Sequence, residues 1–184
     1  MPSFVLSPHP YTHCEAIRHV QVDAQFKGAE LTLCYALQGD IAALALPQPG
    51  PPQRADGLWQ HTCFEAFLKW RPGAADYLEF NFAPSGAWAA YRFQAYREGM
   101  APAALAAPSI DLRSGADWLE LAVRILFDAC PAPDAEPRLA LSAVIEEPAG
   151  RLSYWACAHP PGKPDFHHPG NFVCLPGQGG GGPA

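Results

Sequence analysis

Three groups of side chains in this sequence could do chemistry. The first is a pair of carboxyls. Glu65 in CFEAFLK and Glu79 in YLEFNF lie on consecutive predicted strands and on the same candidate face, the polar side. Two carboxyls on consecutive strands form the acid/base pair of a glycosidase if they flank a glycosidic bond. The competing use of Glu65 is an ion pair with Arg92. The second group is His159, Asp165, His167 and His168, which are metal-ligand types without the CxxC or HxxxH spacing of a tetrahedral site. Adjacent His167 and His168 would also point to opposite faces of an extended segment. The ordinary use of this proline-rich stretch is a loop that hydrogen-bonds to its own backbone and closes over one end of the fold. The third group is aromatic and polar together: Trp59, His61, Glu65, Glu79, Asn81, Trp88, Arg92, Tyr96, Trp155 and His159. Alternation assigns these to the polar face of their strands. If the strands share a sheet, that face is a platform of indole rings with hydrogen-bonding groups between them. Sugars need both, since their C–H faces pack on rings and their hydroxyls take polar partners. The competing use of each tryptophan is to complete the core.

The elements that must position these residues are strands. Of 184 residues, 21 are proline, and each interior proline costs a helix about 3 kcal/mol. Period-two alternation recurs instead. Leu31, Leu33, Tyr35 and Leu37 share a face, as do Leu78, Phe80 and Phe82 against Tyr77, Glu79 and Asn81. The run AWAAYRFQAY is read with Ala89, Tyr91, Phe93 and Ala95 inward, and Trp88, Arg92, Gln94 and Tyr96 outward. Leu119, Leu121, Val123, Ile125 and Phe127 form another apolar set, and Leu139, Leu141, Ala143 and Ile145 a further one. Short strands with loop signals between them predict an all-β fold, an antiparallel, jelly-roll-like β-sandwich of about nine strands. Residues 1–176 are expected to form one domain, and the Gly-rich tail 177–184 is expected to be disordered.

Composition excludes several classes. Hydrophobic residues make up 49% and charged residues 16%, the opposite of the balance that keeps a chain unfolded. Net charge is −6 with only 12 Lys and Arg, too few cations for a nucleic-acid surface. The opening MPSFVLSPHPYTHCE has neither the basic start nor the apolar stretch of a signal peptide. No apolar run reaches the ~18 residues of a membrane helix. The expectation is a cytoplasmic protein with no nucleic-acid or membrane partner. Cys14, Cys34, Cys63, Cys130, Cys157 and Cys174 are scattered without a CxxC pair, as befits reduced thiols that serve as small hydrophobes. There is no GxSxG, HExxH, phosphate loop or dinucleotide fingerprint.

Two stretches carry a family resemblance. One runs from Leu58 to Met100, LWQHTCFEAFLKW followed by DYLEFNFAPSGAWAAYRFQAYREGM; the other, LSYWACAHPPGKPDFHHPGNF, runs from Leu152 to Phe172. They resemble the bacterial DOMON-like domains, relatives of the family 9 carbohydrate-binding modules, in which a strand bearing W…(D/C)xxExF precedes a Y.EFxxxPxG strand and turn. The resemblance implies a β-sandwich that binds sugars in some members and haem, held by Met and His, in others. For haem, Met100 is the one methionine besides Met1, and no CxxCH motif is present. The glycan-binding relatives clasp a terminal sugar between two tryptophans; here the alternation, not the motif, selects Trp88 and Trp155.

The reading taken is a binding module for a small ligand, a saccharide, with no catalysis of its own and no cofactor or metal. Its ligand-binding residues are Trp59, Glu65, Glu79, Asn81, Trp88, Arg92, Tyr96, Trp155, His159, Asp165 and His167. The alternatives are a glycoside hydrolase using Glu65 and Glu79, or a haem- or metal-binding domain. Oligomeric state and the identity of the sugar are left open. Thiol titration of the denatured, non-reduced protein is expected to find six free thiols, and two or more disulfides in fresh lysate would overturn the cytoplasmic assignment.

Overall fold

The computed structural model describes residues 1–129 and 135–174, so the expectations for Cys130 and for the tail 177–184 lie outside the described residues. Strands run β1 Ser3–Pro8, β2 Ile17–Lys27, β3 Glu30–Gly39, β4 Gln53–Arg54, β5 Cys63–Lys69, β6 Tyr77–Phe82 and β7 Ala87–Phe93. They continue as β8 Ala101–Pro102, β9 Ser109–Ser114, β10 Trp118–Leu126, β11 Arg138–Glu147, β12 Arg151–Ala156 and β13 Val173–Cys174. The helical pieces among the described residues are short 3-10 turns. The expectation of a nearly all-β chain therefore holds. The expected nine-strand sandwich is corrected: the strands form one curled sheet in the order β4-β7-β6-β5-β11-β12-β1-β2-β3-β10-β9, with β8 on β7 and β13 on β11. Pairing is antiparallel except between β4 and β7. β1 joins the two halves of the curl, pairing with β12 on one side and β2 on the other.

The main core lies between these halves. Val20, Val22, Leu31, Leu33, Tyr35, Leu37, Leu119, Leu121, Val123 and Ile125 come from one half. Phe64, Leu68, Phe80, Phe82, Leu139, Leu141, Ala143 and Ile145 come from the other. Alternation identified the faces of β3, β6, β10 and β11 because each of these strands keeps one apolar parity. Across the core, the Tyr35 hydroxyl donates to the Glu65 carbonyl oxygen at 2.8 Å, so the phenol satisfies its polar end while its ring packs on Phe64.

Trp88 and Trp155 also belong to this core, 8% and 3% exposed. That corrects the expectation that both face a ligand. The reason is register. After β6 the chain turns through Ala83–Gly86, closed by hydrogen bonds between Ala83 and Ala87 and from Gly86 to Ala83, with Gly86 at φ 89°. This turn sets Trp88 opposite Phe82 and Ala90 opposite Phe80, and directly opposed residues share a face. Ala89, Tyr91 and Phe93 consequently lie beside Tyr77, Glu79 and Asn81, on the side away from the main core. Tyr91 and Phe93 are buried, as expected, but under loops rather than between the halves. The short turn Pro148–Gly150 acts likewise, pairing Trp155 with Ala143 and Tyr154 with Val144. The indole of Trp155 donates to Ser153 Oγ at 3.0 Å inside the core.

Four described cysteines, Cys14, Cys34, Cys63 and Cys157, are free. Because both indoles fill core volume, Trp88→Ala and Trp155→Ala are each expected to lower unfolding free energy by about 3–5 kcal/mol. Urea denaturation measures this, and losses under 1 kcal/mol at both sites would contradict the packing.

Candidate functional site

The half-sheet β7-β6-β5-β11-β12 is covered on its second face as well. The segment after β12 folds back over it, burying Phe166 and Phe172 against Phe67, Tyr77, Phe93, Ala140 and Val144. Its shape comes from internal hydrogen bonds. Asn171 Nδ2 donates to the Asp165 and Phe166 carbonyls at 2.8 and 3.3 Å. The His167 N–H donates to Asp165 Oδ1 at 3.1 Å, and the Gly170 N–H to His168 Nδ1 at 3.1 Å. Asp165 also binds this flap to the turn after β7, accepting from Arg97 Nη2 at 2.7 Å and from the Tyr96 hydroxyl.

Between flap and sheet lies a pocket of about 360 Å³. Its floor carries Glu65, Glu79 and Val144; Phe93, Tyr154, Phe166 and Trp59 supply aromatic walls. His167, Arg97, Met100 and Pro164 complete it. Trp59 is held at the rim, 37% exposed, edge-on to Tyr91 at 6.1 Å. Its turn is fixed on one side by the Tyr91 hydroxyl donating to Asp56 at 2.5 Å, and on the other by His61 Nδ1 against Glu146 at 2.8 Å.

Glu65 sits between Asn81 on β6 and Ser142 on β11. It is 3% exposed, and its Oε1 has no hydrogen-bond partner; neither has Ser142 Oγ. Burial, and secondarily the neighbouring Glu79, raise its pKa well above the ordinary carboxylate value, favouring the neutral acid. Glu79 is also pushed up by burial, but less freely: Asn81 Nδ2 donates to its Oε1 at 2.8 Å and the Arg97 charge favours its anion.

His167 is enclosed by Phe67, Tyr77 and Phe93. Its Nδ1 lies 2.8 Å from the Tyr77 hydroxyl, which itself accepts the Arg97 N–H at 3.2 Å. The hydroxyl therefore has its own proton to give to Nδ1, leaving the ring proton on Nε2, 3.7 Å from Glu79 Oε2. Burial and the Arg97 charge lower the His167 pKa to about 4, so the ring is neutral at pH 7.

Of the residues singled out in the sequence, Trp59, Glu65, Glu79 and His167 meet in this pocket. Asn81 lies behind it and orients Glu79, while Tyr96 and Asp165 fasten the flap. The others are elsewhere. Arg92 is exposed at the end of β7, opposite Leu78 and Ala101, so the expected ion pair with Glu65 is not formed. His159 packs against His9 and reaches the Ser7 carbonyl at 2.8 Å. Among the described residues no three His, Cys, Asp or Glu side chains converge on a metal position. Nor do the residues fit haem: Met100 lines the pocket, but the His167 nitrogens are taken by Tyr77 and the approach of Glu79. Sequence reasoning missed Phe93, Arg97, Tyr154 and Phe166 as pocket residues. The first and third were recoverable from hairpin register, while nothing in REGM marks Arg97.

The buried acid and the buried imidazole act oppositely on stability. Glu65 keeps a proton in the folded state that the unfolded chain loses above 4.5, so its contribution is complete in acid and declines as pH rises. The unfolded His167 gains a proton below 6.5 that the folded ring refuses until about 4, so stability falls as pH drops across that window. Glu65→Gln, which removes only the first effect, is therefore expected to gain stability relative to wild type as pH rises above about 4.5. Paired urea titrations test this, and a difference independent of pH would contradict the buried neutral acid.

No family model matches the chain, and no curated protein does. Solved structures do. A candidate carbohydrate-binding protein from Bacteroides uniformis superposes with a TM-score of 0.58 at 16% identity, over 94% of this chain and 85% of that one. A family 9 carbohydrate-binding module from Caldicellulosiruptor kristjanssonii, in complex with glucose, gives 0.56 at 10% identity, covering 89% and 77%. A family 9 carbohydrate-binding module from the same organism, in complex with cellotriose, gives 0.58 at 10%, covering 88% and 74%. At these identities the likeness is one of fold: the chain has the β-fold found in carbohydrate-binding modules.

Proposed function

We propose that this chain binds a small saccharide in the pocket beneath the flap and carries out no chemical step on it. The observation that carries the reading is an aromatic-lined pocket of about 360 Å³ that two buried carboxyl side chains, Glu65 and Glu79, help to line. Carboxyls held out of water gain more from a ligand hydroxyl than exposed ones do. The volume falls near the lower end for small-molecule sites, about 300–1,000 Å³, so one or two sugar rings suit it better than a long chain. Trp59 stands partly exposed at the rim, and Glu79 offers a further polar partner. The fold-level likeness to carbohydrate-binding modules supports the same ligand class, and the DOMON-like resemblance of the Leu58–Met100 and Leu152–Phe172 stretches belongs with it.

A glycosidase fits the geometry less well. Its two carboxyls act on opposite sides of the scissile bond, whereas Glu65 and Glu79 rise from adjacent strands on one sheet face and approach a ligand from the same side. The tryptophan expected to matter is Trp59 rather than Trp88 or Trp155. Titration calorimetry with a panel of mono- and disaccharides is expected to show weak binding that Trp59→Ala reduces by about two- to tenfold, the equivalent of one lost stacking contact of roughly 0.5–1.5 kcal/mol. Absence of binding across the panel, or glycoside hydrolysis abolished by Glu65→Gln, would overturn the reading.

A further inference from the structure

The pocket holds more acidic capacity than the chain itself neutralises. Two carboxyls, Glu65 and Glu79, line it. The charged group that lines it with them is the Arg97 guanidinium, which is paired with Asp165 at 2.7 Å. His167 faces Glu79 through Nε2 but is enclosed by Phe67, Tyr77 and Phe93. Lys69 is directed elsewhere, over the Phe172 ring at 4.7 Å. Around Glu65 the other titratable neighbours are Glu79 on β6, the Cys63 thiol on its own strand and Tyr35 from the opposite half; none is a cation. The Glu65 side chain is 3% exposed, and its Oε1 is sealed inside without a hydrogen-bond partner.

We propose that the saccharide bound here is an amino sugar, with its free ammonium seated between the Glu65 and Glu79 carboxyls that line the pocket. The inference rests on the saccharide reading and names the class of sugar. A neutral hydroxyl can pair with one carboxyl but leaves the enclosure without a positive charge. An ammonium brings three donors and a charge, enough to engage both carboxyls, and charge-assisted hydrogen bonds are roughly twice as strong as neutral ones. The walls suit the same guest, because a cation near the faces of Trp59, Tyr154, Phe93 and Phe166 is attracted by the ring quadrupoles. Seating the ammonium stabilises the Glu65 carboxylate. The acid proton therefore leaves Glu65 for the solvent as the cation enters, and the pocket exchanges one positive charge for another.

Calorimetry near pH 6.5 with glucosamine, glucose and N-acetylglucosamine tests this, repeated in buffers of different ionisation enthalpy. Glucosamine is expected to bind at least tenfold more tightly than the other two, with release of up to one proton per sugar that neither of them causes. Glu65→Gln is expected to lower glucosamine affinity more than glucose affinity, with proton release lost; the wild-type comparison stands even if that variant folds poorly. Binding of glucose as tight as that of glucosamine, without proton release, would overturn the amine assignment and leave the saccharide reading intact. Failure of all three sugars to bind would overturn both.

Discussion

The pocket side of the molecule depends on one constraint: the half-sheet β7-β6-β5-β11-β12 must bury both of its faces. One face packs on the other half of the curl. The second carries Tyr77, Ala89, Tyr91, Phe93, Ala140 and Val144, too much apolar surface to leave in water at about 25 cal/mol per Å². The flap from Asp165 to Phe172 answers that need. Polar residues on the same face, Glu65, Glu79, Asn81 and Ser142, are thereby removed from water along with their apolar neighbours. The unusual protonation of the two glutamates and of His167 is a consequence of this double covering rather than of any special residue.

Sequence alternation revealed the strands and the main core because β3, β6, β10 and β11 each have one face of large aliphatic or aromatic residues. It failed where both faces are buried. In β7, alanines occupy both parities, so polarity offered no guide and the large, partly polar Trp88 was assigned outward. The four-residue turn after Phe82 and the Pro148–Gly150 turn after Glu147 hold the missing information, since a short turn fixes which residues oppose one another. Carrying the known inward face of β6 or β11 through either turn would have placed both tryptophans in the core. The carboxyls and His167 were recognisable by type, and Glu65 and Glu79 also by parity. Arg97 was not, because its place depends on a turn with φ of 57° and on a partner, Asp165, from a distant loop.

Likeness to carbohydrate-binding modules bears on architecture, and a shared architecture hosts many sites. Here the particular chemistry comes from the depth of the floor. A sugar platform on an open sheet would offer indoles to solvent, whereas this pocket offers one rim tryptophan, aromatic walls and a pair of acids kept largely from water. Recognition would then rely on polar groups desolvated in advance, which gain more from a matching partner than exposed ones do.

The placement of β1 has a consequence for how the chain acquires its shape. This strand joins the two halves of the curl, yet its partner β12 lies far along the chain; the nearby His159–Ser7 contact spans 152 positions. During synthesis β2 and β3 can pair as soon as both have emerged, while β1 must wait for the strand that completes its other side. Such long loop closures make folding slow, and an unpaired strand edge can pair with other chains meanwhile. The joint between the halves is thus made early as polypeptide and late as structure.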